Sequence, residues 1–210
     1  MTKAELNAYI RVLVDDVEAD YLCADTSLNR FIDEAEREVA ERTLYFKLGD
    51  SHDFSTVAST AEYAIHTDII FIDRIKISGE KLPLLKTTKK ELDCQIQDWE
   101  TIEEKPLYYY IYDNKIRLYP VPDDVYSIVL DGSRRPVSEM ETPVHLHEDL
   151  AYWVMYRYYS IQDADVQNRQ KAEENRAKFR AIFGNKRNIE FEQSWRNDAG
   201  YASMRAHPFN

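Results

Sequence analysis

The spacing of apolar residues changes twice along this 210-residue chain, and that change limits the folds that the chain can adopt. Near both ends, apolar residues recur every three or four positions, which is the period of an amphipathic helix. In the middle, short β-branched and aromatic runs alternate with turn residues, as is typical of strands. We therefore predict an α+β fold: an antiparallel helical bundle formed by the N- and C-terminal helices, an inserted small antiparallel β-rich lobe, and an extended C-terminal tail.

Two amphipathic helices are predicted at the N-terminal end. The first follows Thr2, which forms a capping-box pattern with Glu5, and is expected to end near Asp20. Its apolar stripe comprises Leu6, Tyr9, Ile10, Leu13, Val14 and Val17. The second follows Ser27 and runs antiparallel to the first. Its buried face is expected to contain Leu28, Phe31, Ile32, Ala35 and Val39.

The central segment contains one hairpin whose pairing the sequence predicts to the residue. Asp113 and Asn114 suit a two-residue turn. Such a turn places Ile111 opposite Ile116 and Tyr109 opposite Leu118 on a face that is expected to lie in the core. The other face carries rings and cations: Tyr108, Tyr110, Tyr112, Lys115, Arg117 and Tyr119. We interpret that face as a partner-binding surface, with Tyr108, Tyr110, Tyr112 and Arg117 as the candidate contact residues.

A short helix and a further strand accompany this hairpin. Thr87 or Thr88 can cap the helix, which is expected to reach Trp99. The strand is expected to end before Gly132, and its apolar residues are Tyr126, Ile128 and Leu130. These elements make the middle third of the chain a β-rich insertion between helices.

Helical spacing returns after Pro143, with an apolar stripe that comprises Leu146, Leu150, Trp153, Val154, Tyr158 and Ile161. A more polar helix is expected to begin at Asp163 and to stop near Phe183, at Gly184. The patterns thus divide the chain into N-terminal helices (1–49), a β-rich lobe (50–140), C-terminal helices (141–184) and a tail (185–210). The tail holds four large aromatic residues among charges: Phe191, Trp195, Tyr201 and Phe209. They either fold back on their own domain or dock into a partner's groove.

Composition excludes several classes of function. The chain has 38 acidic and 27 basic residues, a net charge of -11, which disfavours sequence-specific DNA binding. No apolar run is long enough for a bilayer, and residues 1–11 lack the pattern of a signal peptide, so we expect neither a membrane protein nor a conventionally secreted one. Cys23 and Cys94 form no zinc motif and no disulfide framework, which fits folding in a reducing cytoplasm.

One cluster in the sequence could carry metal chemistry: His145, His147, Glu148 and Asp149, where two histidines stand beside carboxylates. No further ligand pair follows it, so we favour a loop that leads into a helix with acids in its first turn. The chain also lacks a Gly-x-Ser-x-Gly elbow and a glycine-rich phosphate-binding loop. We therefore predict a protein that is not an enzyme and that has no catalytic residue, no metal site and no cofactor.

The order of segments resembles the head-to-tail adaptor family of tailed bacteriophages, and matching residues span most of 6–183. The residues that carry the resemblance are Asn29, Ala35, Glu38, Val39, 60–63, 68–70, Pro106, 108–110, 116–120, Pro122, 134–136, Leu150, Ala151 and 162–165. The chain departs from the family where His66 and Thr67 replace a frequent proline before the aspartate, and where Lys105 replaces the usual glycine region.

This resemblance implies a structural virion protein of a short-tailed phage, located at the neck of the capsid after synthesis in the host cytoplasm. The family forms a homo-oligomeric ring of about twelve copies below the portal, through heterologous contacts that close by rotation. Such a ring extends the channel for double-stranded DNA, which it passes without sequence preference during genome packaging and DNA ejection. It also binds a downstream tail or nozzle protein. By the same resemblance, the 185–210 tail grips the portal and the β-rich lobe faces the next tail component.

Three alternatives remain open from the sequence. The first alternative is a different virion or tail structural protein. The second is a host-directed binding module that holds its target with the tyrosine face. A metal-dependent hydrolase built on His145 and His147 is the third alternative.

Overall fold

The computed structural model describes residues 1–18, 20–161 and 166–186. Within these ranges it contains five α-helices and two β-sheets, so the mixed α+β class is confirmed. The chain divides into two compact units. The helical unit comprises Met1–Phe46 and the described part of Arg135–Arg187, and the β unit comprises Lys47–Arg134. Along the chain, the boundaries between the units therefore lie between residues 46 and 47 and between residues 134 and 135.

The helices are α1 (Lys3–Val14), α2 (Asp25–Thr43), α3 (Lys89–Gln95), α4 (His147–Tyr159) and α5 (Arg169–Phe183). The strands are β1 (Phe54–Ser55), β2 (Glu62–Ala64), β3 (Ile69–Ile77), β4 (Leu85–Lys86), β5 (Tyr108–Tyr112), β6 (Lys115–Tyr119) and β7 (Ser127–Arg134). Short 3-10 turns occupy Asp50–His52, Trp99–Thr101 and Val144–Leu146. None of the described helices is both long and apolar enough to cross a bilayer.

The start of α1 is as predicted, but its end is not. Thr2 Oγ1 accepts a hydrogen bond from the Glu5 amide at 3.2 Å, and the Glu5 carboxylate accepts one from the Thr2 amide at 2.8 Å. The helix stops at Val14 because Asp15 adopts a left-handed conformation, with φ of 60°, and closes the last turn. The predicted end near Asp20 is therefore wrong.

The core of the helical unit forms where α1, α2, α4 and α5 pack together. All five apolar residues predicted for α2 are buried, although α2 begins at Asp25, before Ser27. Fully buried members of this core include Leu28, Leu150 and Phe179. Each such side chain contributes about 1.5–3 kcal/mol through removal of apolar surface from water.

The last described helix starts later than the sequence predicts. Residues 162–165, which include the predicted start at Asp163, lie outside the described residues. Helix α5 begins at Arg169, and the side chain of Asn168 caps it by accepting a hydrogen bond from the Lys171 amide at 3.0 Å. The predicted end near Phe183 is confirmed.

The β unit contains two sheets that share one core. The first has the order β1-β7-β3 and is antiparallel, and the second has the order β2-β6-β5-β4, with β4 parallel to β5. The predicted hairpin is confirmed, because Ile111 pairs with Ile116 and Tyr109 with Leu118. Buried residues from both sheets meet in the core, among them Ile75, Tyr109, Ile116, Leu118 and Ile128.

Two boundaries in the β unit differ from prediction. Helix α3 ends at Gln95, so Trp99 belongs to a separate 3-10 turn, whereas the capping box of Thr88 with Glu91 is present. Strand β7 continues through Gly132 to Arg134. A Cβ on residue 132 would collide with the carbonyl oxygen of Phe71 on β3. The glycine therefore permits close approach of two strands and does not end one.

Candidate protein-contact surfaces

The tyrosine face of the hairpin is only partly open. Tyr110 and Tyr119 are buried, and their rings pack edge-on against Trp99 at centroid distances of 6.0 and 5.6 Å. Leu92 of α3 completes this cluster, and the half-buried Tyr108 packs against it. Helix α3 and the Trp99 turn thus cover half of the face. In this fold, Tyr110 is a core residue and is not exposed to a partner.

The other half of the face remains open, and we call its residues Glu62, Tyr112, Lys115 and Arg117 the hairpin patch. Tyr112 is 61% exposed, and the Arg117 guanidinium lies 5.5 Å from the centre of its ring. Lys115 donates a hydrogen bond of 2.9 Å to Glu62, which also pairs with Arg117. These contacts, the hydrogen bond from Lys115 first, lower the pKa of the Glu62 carboxyl. Tyrosine and arginine held together in this way are typical of protein interfaces.

A second surface lies on the helical unit and includes Leu13 and Val17, two residues of the apolar stripe predicted for the first helix. Because α1 ends early, apolar side chains in and after its last turn face solvent. We call them the loop patch: Val12, Leu13, Val17, Tyr21 and Leu22, with exposed fractions of 67%, 42%, 54%, 43% and 55%. A concentration of exposed apolar residues on a soluble protein indicates an interaction site.

A charge cluster in which Arg11 and Asp16 are buried contacts the backbone of this loop. Arg11 donates hydrogen bonds to Asp16 (2.8 Å), Asp25 (2.6 Å) and the Cys23 carbonyl (2.9 Å), and its guanidinium lies 3.5 Å from the centre of the Tyr21 ring. Asp16 in turn accepts a hydrogen bond from the Leu22 amide at 3.0 Å. The bond from Arg11 lowers the pKa of the Asp25 carboxyl. These bonds hold the backbone of Leu22 and Cys23, at the C-terminal end of the loop patch.

The histidine–carboxylate motif at the start of α4 does not form a metal-ligand cluster among the described residues. His145 is exposed, whereas His147 is buried and its Nε2 lies 2.6 Å from the Thr142 carbonyl. Glu148 and Asp149 lie in the first turn of α4, where acids offset the helix dipole. The buried carboxylate in this region is Glu36, which accepts hydrogen bonds from the Met140 and Thr142 amides at 3.0 Å.

The four aromatic residues predicted to bind the portal, Phe191, Trp195, Tyr201 and Phe209, lie outside the described residues. The chain that leads to them is attached to α2. Arg42 donates a hydrogen bond of 2.7 Å to the Gly184 carbonyl, and Lys186 pairs with Glu41 and Glu38. Residues 184–186 therefore lie beside α2.

Comparison with protein families shows to which family the chain belongs. Its sequence matches the family described as SU10 adaptor protein over residues 1–205. The chain belongs to the SU10 adaptor protein family. The match includes both compact units and confirms the predicted resemblance to a phage adaptor. No curated protein matches the chain.

Membership in the SU10 adaptor family makes this chain a structural adaptor protein of phage. Sequence reasoning missed the loop patch of this adaptor because Leu13, Val14 and Val17 continue the helical spacing of the apolar stripe. One signal was present: the adjacent acids Asp15 and Asp16 interrupt that stripe, and aspartate tolerates the left-handed conformation that closes a helix.

Proposed function

We propose that this SU10 adaptor protein forms a ring of about twelve copies below the portal, extends the DNA channel and provides the attachment surface for the tail. The observation that carries the proposal is the presence of one exposed contact patch on each compact unit. A protein that joins two assemblies needs separate surfaces for its neighbours, and the loop patch and the hairpin patch differ in character.

The loop patch suits the contact between adjacent copies in the ring. Permanent interfaces are more apolar than transient ones, and this patch consists of four aliphatic residues and one tyrosine. A ring requires a heterologous contact, in which the patch of one copy meets a different surface of the next. A loop whose backbone is held reduces the entropy that such a contact costs, and the hydrogen bonds of Arg11 and Asp16 hold its C-terminal end.

The hairpin patch suits the downstream tail or nozzle protein. Its tyrosine, cations and carboxylate can form directional hydrogen bonds with a separately assembled partner, and such polar contacts favour recognition of a particular partner. Binding to the portal is assigned to the tail segment 185–210. Its aromatic residues Phe191, Trp195, Tyr201 and Phe209 can act as anchors in portal grooves.

The excess of acidic over basic residues suits a channel for double-stranded DNA. A net charge of -11 repels phosphates, so a wall of this charge lets DNA pass without holding it during packaging and ejection. The proposed location is the neck of the virion, at the portal vertex.

Deletion of residues 185–210 tests the portal assignment. The deletion removes no residue of the described helices and strands, so the shortened protein is expected to fold with an unchanged circular dichroism spectrum. We expect it to lose binding to purified portal in co-sedimentation.

A tail with Phe191, Trp195, Tyr201 and Phe209 all replaced by serine is the companion variant, since it keeps the length of the segment. Unchanged portal binding by both variants would refute the portal assignment. A Val144→Asp variant, at a valine that is 72% exposed and outside both patches, is the matched control and should bind normally.

A further inference from the structure

Three side chains of types that can bind a metal ion meet in the β unit. His52 ends the 3-10 turn Asp50–His52, which precedes β1, and His66 and Asp68 lie on the turn between β2 and β3. One ligand atom of each residue lies within 4.8 Å of the other two. The sequence did not group these three residues as a site, because they come from two turns that only the folded chain brings together.

The carboxylate of Asp68 lies between the two imidazoles and uses a different oxygen for each. His52 Nε2 is 2.9 Å from Oδ2, and His66 Nδ1 contacts Oδ1. The two rings stand edge to face, with centroids 5.8 Å apart. Their ring nitrogens therefore converge on one small space beside the carboxylate.

The second ring nitrogen of His52 supports a metal-ligating orientation. His52 Nδ1 lies 3.3 Å from the Gly49 carbonyl oxygen, which only accepts hydrogen bonds, and 3.2 Å from the Ser51 hydroxyl, which can accept as well as donate. A proton on Nδ1 satisfies the contact with Gly49 and leaves the Nε2 lone pair directed at Asp68. Two acceptors 2.9 Å apart then need a proton or a cation between them. Histidine ligands in metal sites are commonly oriented by such a bond from the other nitrogen to a carbonyl.

Burial and charge also favour a cation at this position. The side chains of His52 and Asp68 are 7% and 12% exposed, whereas that of His66 is 68% exposed. The carboxylate of Asp68 lies in contact with both imidazoles and can supply an anionic oxygen ligand to a cation. The group is thus enclosed on one side and open to solvent on the other.

We propose that His52, His66 and Asp68 bind one divalent transition-metal ion, for which Zn²⁺ is the best-suited probe. Two imidazole nitrogens and one carboxylate oxygen form a ligand set of the kind that zinc uses, and the fourth position is open to water. The ion would join the 3-10 turn before β1 to the turn before β3. Its role is structural: it stabilises the β unit by binding only the folded chain.

Titration of the full-length protein with ZnCl₂ after chelator treatment tests this site. Isothermal titration calorimetry is expected to give one Zn²⁺ per chain, and the midpoint of thermal unfolding should rise by several degrees. His66→Gln should weaken Zn²⁺ binding by at least about 100-fold, because loss of a direct ligand exceeds the loss of a supporting contact. His66 is exposed, so the variant without metal should unfold at nearly the wild-type temperature.

His145→Gln is the matched control, since His145 is an exposed histidine outside the cluster, and it should leave binding unchanged. Cobalt gives a second readout: Co²⁺ bound to wild type should show visible absorption that His52→Gln and Asp68→Asn abolish. Absence of saturable Zn²⁺ binding, equal affinity in His66→Gln, or loss of binding in His145→Gln alone would overturn the proposal. In the first two cases the three residues form only a hydrogen-bonded cluster.

Discussion

At the scale of single residues, Arg11 connects the elements that carry the loop patch. It is buried, and it links α1 to Asp16 in the following loop and to Asp25 at the start of α2. Asp16 is 4% exposed at its side chain, so removal of its partner would leave a buried carboxylate without its cation. The loop patch therefore depends on a charge cluster beneath it.

Replacement of Arg11 by methionine should lower the free energy of unfolding by roughly 3 kcal/mol, which is typical when one partner of a buried ion pair is removed. Urea denaturation followed by circular dichroism measures this change. Arg30→Met is the matched control: Arg30 has a 64% exposed side chain and lies 4.0 Å from Glu34, so its loss should change stability by less than about 0.5 kcal/mol. Equal losses in the two variants would contradict the role assigned to Arg11.

The sequence predicts residue environments well where they depend on near neighbours. Tyr109 was placed in the core by strand alternation, and it is buried there, which raises its pKa to about 12. Tyr110 was placed on an open face by the same alternation, but α3 and Trp99 cover it. Alternation separates the two faces of a sheet, whereas the element that covers each face is decided by tertiary packing.

At the scale of elements, local turn chemistry was the most reliable guide. Asp113 and Asn114 both have positive φ, 50° and 54°, as a tight hairpin turn requires, and the register follows from that turn. The end of α1 could not be located in this way, since the contacts of Arg11 with Asp16 and Asp25 depend on the fold. The cluster of His52, His66 and Asp68 was invisible for the same reason.

A substitution at Gly132 tests how closely strands β3 and β7 approach each other. Gly132→Ala should destabilise the protein by about 2 kcal/mol or more, because the added Cβ collides with the Phe71 backbone, which cannot move as a side-chain end can. Thermal and urea unfolding measure the change. Gly49→Ala is the control, as nothing lies within 4 Å of its added Cβ and its φ is negative, at -121°. A Gly132→Ala variant as stable as Gly49→Ala would show that the strands have room for a side chain.

At the scale of the whole molecule, the family match and the two contact patches agree with the role of an adaptor. The SU10 adaptor family match includes both compact units, and each unit presents a surface of different chemistry. Apolar residues on the helical unit favour a lasting contact between copies, whereas the mixed aromatic and charged hairpin patch favours recognition of a separate partner. The proposed zinc site would stabilise the β unit without taking part in either contact.

Electron cryomicroscopy of the full-length protein mixed with its purified portal tests the central claim most directly. The account predicts a closed ring of about twelve copies seated coaxially on the portal, with residues 12–22 of each copy in the contact with its neighbour. Single copies scattered on the portal, a ring whose contacts leave the loop patch in solvent, or portal particles without added density would contradict it.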